Sequence, residues 1–79
     1  MNYRILYFAS LRDTAGLDAE DVASDSNDAR AVYGECKRRH AFALDTKSIR
    51  VAINGEFADW DRALQDRDEV AFLPPVSGG

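Results

Sequence analysis

One stretch of this sequence, residues 28–40, has the length and periodicity of an amphipathic helix. Asp28 is suited to the N-cap position, because its carboxylate can accept hydrogen bonds from the free N–H groups of the first turn. A single helix of this kind buries an apolar stripe against one face of a sheet, so the rest of the chain must supply that sheet. The predicted stripe consists of Ala29, Val32, Tyr33, Cys36 and His40.

The N-terminal part of the chain predicts two strands and a short helix. Residues 3–9 (YRILYFA) are rich in aromatic and β-branched side chains and are short enough for a buried strand. Ser10 is a residue type that caps helix N-termini and Gly16 one that ends helices, which predicts one or two helical turns between them. Residues 18–24 (DAEDVAS) are polar, so we expect a strand at the edge of the sheet.

The C-terminal part predicts three strands. Residues 49–53 alternate in polarity and lead into Asn54-Gly55, a pair preferred in two-residue hairpin turns, so residues 56–58 form the returning strand. We expect a short helical turn or an irregular crossover at residues 60–64. Residues 69–73 (EVAFL) form the last strand, which ends at two prolines because proline has no N–H for the ladder.

This order of elements predicts an α+β domain, with a mixed sheet of about five strands and one main helix across one face. The alternation of side chains along the strands assigns residues to the two faces of that sheet. The residues expected to face the helix are Tyr3, Ile5, Tyr7, Ile49, Val51, Ile53, Val70 and Phe72, and those expected outside are Leu6, Phe8, Ala52, Ala71 and Leu73.

Leu6, Phe8 and Leu73 are candidates for an exposed apolar patch, which Phe57 joins from beyond the hairpin. Of these, Phe8, Phe57 and Leu73 form the candidate partner interface. Single apolar residues occur on every protein surface, and loops can cover others. A contiguous apolar patch, in contrast, usually marks a surface that another protein covers. The position of these residues beside the C-terminal segment favours the interface.

Composition excludes several classes of function. A chain of 79 residues encloses one hydrophobic core, and its 46% apolar and 30% charged residues are typical of a folded domain. The net charge of −4 repels phosphate backbones, so we expect no nucleic-acid partner. The single cysteine excludes an internal disulfide and fits the cytoplasm, and no apolar run is long enough for a membrane span.

The side chains offer little catalytic chemistry. Cys36 lies in the helical stripe and is interpreted as an inert core thiol, and His40 is expected to have a capping or surface role. The basic run at residues 37–40 is interpreted as a solvated helix end. The acidic groups at residues 59–61 and 66–69 lack the glycine and the third ligand of a calcium loop, and one Cys and one His are too few for zinc. We expect no metal site.

The remaining reactive group is the C-terminal carboxylate of Gly79. Extended, residues 74–79 reach about 20 Å beyond the last strand. Pro74 and Pro75 stiffen the base of this segment, and Gly78 and Gly79 have no side chains to obstruct a narrow channel. Such a tail would deliver a carboxylate into another protein's active site, where ATP must activate it because a carboxylate is a poor electrophile. For the Gly-Gly pair alone a frayed end is the alternative, but its position after a strand and two prolines favours function.

The sequence resembles the small-subunit family of molybdopterin synthase, which are sulfur carriers with the ubiquitin-like β-grasp fold. The resemblance covers nearly the whole chain. It rests on YFASLRD at residues 7–13, on VAIN at residues 51–54 and, most specifically, on DEVAFLPPVSGG at residues 68–79.

The resemblance implies a β-grasp domain at residues 1–73 and a flexible tail at residues 74–79. In the family, an E1-like adenylyltransferase uses ATP to activate the terminal carboxylate, here that of Gly79, which becomes a thiocarboxylate. Its sulfur then passes to cyclic pyranopterin monophosphate in the large synthase subunit, which supplies the catalytic side chains, so no cofactor is bound by the carrier.

The same resemblance implies the surfaces and the assembly. The tail residues that enter the partner are Pro74, Pro75, Val76, Ser77 and Gly78, and those that dock are Phe8, Phe57 and Leu73. The assembly is a heterotetramer with a central dimer of large subunits.

Departures from the family pattern are few. Arg67 stands where a glycine often occupies the turn, and Ala29 and Cys36 replace larger core residues. Three alternatives stay open: a thiamine-type sulfur carrier, a ubiquitin-like protein modifier whose Gly79 forms an isopeptide bond, and an interaction module with no covalent role.

Overall fold

The computed structural model describes residues 1–75. Its five strands form one mixed sheet in the order β2-β1-β5-β3-β4, in which β1 and β5 are parallel and the other neighbours antiparallel. The long helix α2 packs across one face, which confirms the predicted α+β class. The elements are β1 (Asn2–Tyr7), α1 (Ala9–Ala15), β2 (Ala19–Ala23), α2 (Ala29–His40), a 3₁₀ turn (Thr46–Ser48), β3 (Arg50–Ile53), β4 (Glu56–Ala58) and β5 (Glu69–Leu73).

The α2 helix begins and packs as its sequence predicts. The carboxylate of Asp28 accepts a hydrogen bond of 2.9 Å from the N–H of Arg30, which satisfies one free donor of the first turn. The helix ends at Ala41, whose φ of 58° turns the chain out of the helical path. Burying each large side chain of this core contributes about 1.5–3 kcal/mol. The four buried residues of α2 are Ala29, Val32, Tyr33 and Cys36.

The β3–β4 hairpin is confirmed, and its turn also holds β5. Asn54 and Gly55 have φ values of 53° and 86°, and a type I′ turn requires positive φ at both positions. The Asn54 N–H donates to the carbonyl of Glu69 at 2.8 Å, and its side-chain oxygen accepts from the Glu69 N–H at 3.0 Å. The turn therefore fixes the start of the last strand.

The prediction that Ser10 caps the first helix is wrong. The strand ends at Tyr7, two residues earlier than predicted, and the N-cap residue is Phe8, which has no side-chain capping bond. The carbonyl of Phe8 accepts the first helical bond instead, from the Leu11 N–H at 3.1 Å. The predicted end is confirmed, since Gly16 has a φ of 78°.

The face opposite α2 is more closed than the sequence suggested. Leu6, Ala71 and Ala52 lie in register across β1, β5 and β3, as the alternation predicted. Ala71 is nevertheless only 9% exposed, because it occupies the central strand between two neighbouring strands. Its assignment to the outer face is confirmed by the register, and on the same side of the molecule Phe8 and Phe57 are 41% and 60% exposed.

The segment between β4 and β5 is an irregular crossover, one of the two predicted forms. The Trp60 indole N–H donates to the Ile49 carbonyl at 3.2 Å, and the Leu64 N–H donates to the Asn27 carbonyl at 2.8 Å. These bonds tie the crossover to the sheet and to the residue before the α2 cap. Among the elements described for residues 1–75, no helix has the length and apolar character needed to cross a membrane.

Candidate functional site

The C-terminal segment leaves the sheet at the C-terminal end of β5, next to the C-terminal end of β1. Tyr7 and Phe72 are partners in the parallel β1–β5 pair, so Phe8 and Leu73 are the next residues at this end of the sheet. The antiparallel partner of Leu73 is Arg50, the first residue of β3. The exit of the tail is therefore flanked by Phe8 on one side and by Arg50 on the other.

An apolar groove of about 310 Å³ runs beside this exit. Pro74 is half-buried and Pro75 is exposed, and both prolines line the groove. The structure thus brings together Phe57 and Leu73, two of the three predicted docking residues. Phe8 does not line this groove, because β5 separates its strand from β3. The other lining residues are Lys47, Ser48, Ile49 and Arg50.

Arg50 is a member of this surface that sequence reasoning missed. Its guanidinium carbon lies 4.0 Å from the centroid of the Phe57 ring, a cation–π contact. The burial pattern of β3 places Arg50 on the outer face with Ala52, the cross-strand partner of Phe57. The alternation of residues 49–53 could have indicated the shared face, but not the stacking of the two side chains.

A second cluster that sequence reasoning missed joins β1, β2 and α2 on the helix side of the sheet. The Tyr7 hydroxyl donates to the Glu20 carboxylate at 2.5 Å, and His40 Nε2 lies 2.5 Å from the same carboxylate. Arg39 is 3.2 Å from the other carboxylate oxygen. Burial, together with the neighbouring Cys36 and the hydrogen bond to Glu20, raises the pKa of Tyr7 far above its ordinary value. This tyrosine therefore stays protonated and acts as a donor.

The expected capping or surface role of His40 is wrong. Its side chain is only 13% exposed, and its ring packs against both Tyr7 and Phe42 at centroid distances of 5.4 Å. The cause is Glu20, which lies on β2 and which the fold brings beneath the end of α2. In this position the imidazole packs against the aromatic rings at the end of the core.

Cys36 is the core thiol that the helical stripe predicts. It is 1% exposed, and burial raises the pKa of its thiol. A protonated, buried thiol is a poor nucleophile.

Two carboxylates of the acidic turn at residues 66–69 accept hydrogen bonds from backbone groups of this chain. Asp66 accepts the Asn2 N–H at 2.6 Å, and Asp68 accepts the Gln65 N–H at 2.8 Å. In the part of the chain that the structure describes, no three His, Cys, Asp or Glu side chains converge to hold a metal. These carboxylates have a structural role in the turns.

The predictions for Val76, Ser77, Gly78 and Gly79 fall outside the described residues and stay predictions. What the structure gives is the base of their segment. Because β5 pairs with β1 on one side and β3 on the other, this strand is held from both sides.

A five-stranded mixed sheet crossed by one long helix, with its central strand leading to the C-terminus, defines the ubiquitin-like β-grasp class. The profile of the ThiS family matches residues 5–79. The chain belongs to the ThiS family.

Relatives and solved structures of similar proteins agree with this assignment. The molybdopterin synthase sulfur carrier subunit of Escherichia coli is 38% identical, over 96% of this chain and 98% of its own. A putative molybdopterin converting factor subunit 1 from Pyrococcus furiosus superposes with a TM-score of 0.77 at 30% identity, covering 96% and 99% of the two chains. The small archaeal modifier protein 1 from Methanosarcina acetivorans has a TM-score of 0.78 at 26% identity, covering 99% and 96%. The family and these relatives make the chain a sulfur carrier in molybdenum cofactor biosynthesis.

Proposed function

We propose that the chain carries sulfur as a thiocarboxylate on Gly79 and delivers it to the large subunit of molybdopterin synthase. The observation that carries this proposal is the position of β5. This strand is central and paired on both sides, and it ends at Leu73, six residues before the terminal carboxylate. A tail with a fixed base and a slender end can place its carboxylate deep in a partner, about 20 Å away when extended.

The chemistry proposed for Gly79 has two steps. The carboxylate oxygen attacks the α-phosphate of ATP and releases pyrophosphate, which gives an acyl-adenylate. A hydrosulfide-equivalent donor then attacks the acyl carbon and AMP leaves, so that one C–S bond forms as one C–O bond breaks. Both steps are redox-neutral at the acyl carbon, and the ATP belongs to the activating enzyme.

The partners supply the catalytic groups in this proposal. Cys36 is buried, and the imidazole of His40 is engaged by Glu20. Neither side chain is therefore an exposed reactive group. The adenylation is therefore assigned to an E1-like adenylyltransferase and the sulfur transfer to the active site of the large subunit, where the acceptor is cyclic pyranopterin monophosphate.

Docking in this proposal uses the exposed apolar residues at the tail exit. Phe57 and Leu73 present the groove, and Phe8 extends the surface beyond β5. Pro74 and Pro75, then Val76, Ser77 and Gly78, lead into the partner. We further propose a heterotetramer around a dimer of large subunits, which works in the cytoplasm, where a free cysteine stays reduced.

A protein-modifier role is the second candidate, and the likeness to the small archaeal modifier protein favours it. Both functions start from the same acyl-adenylate, and the nucleophile that attacks it decides the product. Sulfur gives a thiocarboxylate, and a lysine amine gives an isopeptide. A thiamine-type carrier would share the thiocarboxylate and differ in the enzyme that consumes it.

Reconstituted sulfur transfer with tail variants tests the proposal. Deleting Gly79, or adding one residue after it, should abolish transfer while the circular dichroism spectrum and melting temperature stay those of the wild type. Activity retained by the Gly79 deletion would contradict a terminal thiocarboxylate. Covalent adducts on other proteins, formed without sulfur transfer, would favour the modifier role.

A further inference from the structure

The guanidinium of Arg50 lies over Phe57 and has no carboxylate partner among residues 1–75. Its carbon lies 4.0 Å from the ring centroid, and its strand position is opposite Leu73. Other arginines, such as Arg4 and Arg30, pair with aspartates at 3.5 Å and 3.3 Å. Arg50 makes no ion pair within residues 1–75, although acidic residues outnumber basic ones by 14 to 10 in the sequence.

Stacking prepares this guanidinium for a planar anion. An arginine that lies over an aromatic ring uses its π face, while the N–H donors at its edge stay available. Those donors form a fork that matches the two oxygens of a carboxylate. Less side-chain entropy is lost on binding because Phe57 already restricts the arginine.

The surroundings of Arg50 indicate where the anion comes from. Lys47 lines the same groove, so two cations lie on the β3 side of the tail exit, in a chain whose net charge is −4. The groove lies at the base of the tail, about 20 Å from an extended Gly79, so the nucleotide that activates Gly79 is out of reach. A protein that covers the apolar groove would, in contrast, bring its own side chains directly against Arg50.

We propose that Arg50 binds an Asp or Glu side chain of the synthase large subunit. This inference rests on the proposed function, because it assigns a polar contact to the docking surface used there. The ion pair sets the register of docking, since Arg50 is the cross-strand partner of Leu73 and so fixes where the tail enters the partner. Arg50 is a specificity residue and takes no part in the chemistry at Gly79.

Binding of the purified large subunit, measured by calorimetry without ATP, tests this assignment. Arg50→Ala should weaken binding roughly tenfold or more, the usual cost of removing a hydrogen bond to a charged group. The affinity of Arg50→Lys should lie between those of the wild type and Arg50→Ala, since lysine keeps the charge and loses the fork. Arg50→Glu should bind most weakly. The matched control is Arg38→Ala, which removes an exposed α2 arginine that also makes no ion pair in the described chain.

Two further readouts separate an ion pair from a merely structural role. Arg50→Ala should reduce the salt dependence of binding, and a Lys substitution at the contacting acidic residue of the large subunit should rescue Arg50→Glu. In steady-state transfer assays the KM for the carrier should rise while kcat stays unchanged. Wild-type affinity and salt dependence in Arg50→Ala would overturn the inference.

The failure of this inference is distinguishable from failure of the proposed function. If wild-type protein forms the Gly79 thiocarboxylate and binds the large subunit, but the Arg50 variants bind equally well, only the role of Arg50 is wrong. If wild-type protein neither binds the large subunit nor transfers sulfur, the proposed function fails first.

Discussion

His40 Nε2 lies 2.5 Å from the carboxylate of Glu20, a contact that joins the last turn of α2 to the edge strand β2. The Tyr7 hydroxyl donates to the same carboxylate from β1. Glu20 therefore links three elements at the end of the sheet where the tail base lies.

The stability of this link should depend on pH. Burial alone raises the pKa of Glu20, but hydrogen bonds from Tyr7 and His40 and the charges of His40 and Arg39 lower it overall, below 4.5. A carboxyl whose folded pKa is depressed stabilises the fold above its unfolded pKa and loses this contribution as the pH falls through its folded pKa. Glu20→Gln should thus cost about 1 kcal/mol at pH 7, after allowing for solvent screening.

Urea denaturation from about pH 7 to pH 3 measures this effect. The difference in the free energy of unfolding between wild type and Glu20→Gln should shrink at acid pH, because the Glu20 carboxylate of the wild type is then protonated. The control is Asp21→Asn, the next residue of β2, whose side chain is 79% exposed and whose loss should change little. A Gln variant as stable as wild type at neutral pH would contradict the role of Glu20.

Replacing Arg67 by glycine should stabilise the protein by about 1 kcal/mol. Arg67 has a φ of 72°, a left-handed conformation that strains a residue with a Cβ, and its N–H donates to the Asn2 carbonyl at 2.7 Å. Glycine relieves the strain and keeps that bond. Thermal melting should show a higher Tm for Arg67→Gly, and no gain for Arg62→Gly, whose φ is not positive. A lower Tm for Arg67→Gly would contradict the strain argument.

Cys36→Ala should lower stability and leave sulfur transfer intact. The thiol is 1% exposed, so its removal leaves a small void that costs about 1 kcal/mol. Burial also raises its pKa, so a thiol reagent should label the native protein slowly and the unfolded protein fast. Loss of transfer in a variant that remains folded would show that Cys36, and not the C-terminus alone, handles sulfur.

Phe57→Ala should weaken binding to the large subunit tenfold or more without changing the fold. The ring is 60% exposed and lines the groove beside Leu73, so little of the core depends on it. Glu56→Ala, at its exposed neighbour on β4, is the matched control. Equal binding by both variants would remove the groove from the docking surface.

Much of the fold could be predicted from the sequence because the strongest sequence signals are local. The cap at Asp28, the α2 stripe and the Asn54-Gly55 turn each depend on neighbours within a few residues, and all are confirmed. The prediction for Ser10 was wrong because serine occurs both at helix N-caps and within helices. The strand β1 ends at Tyr7, so the helix begins earlier and Ser10 lies within it. The tail predictions depend on Gly79, beyond the described residues.

The side-chain contacts of the site could not be predicted, because they join residues distant in sequence. Glu20 and His40 are 20 residues apart and meet only when β2 is placed beneath the end of α2. Arg50 and Phe57 share a face through strand pairing, but periodicity cannot show that one side chain lies over the other.

The most direct test of the carrier function is the intact mass of the protein after incubation with the activating enzyme, ATP and a sulfur donor. We predict a mass increase that matches replacement of one oxygen by one sulfur, located in the peptide that ends at Gly79. An unchanged mass, with an active enzyme and a known carrier converted in parallel, would contradict the thiocarboxylate account.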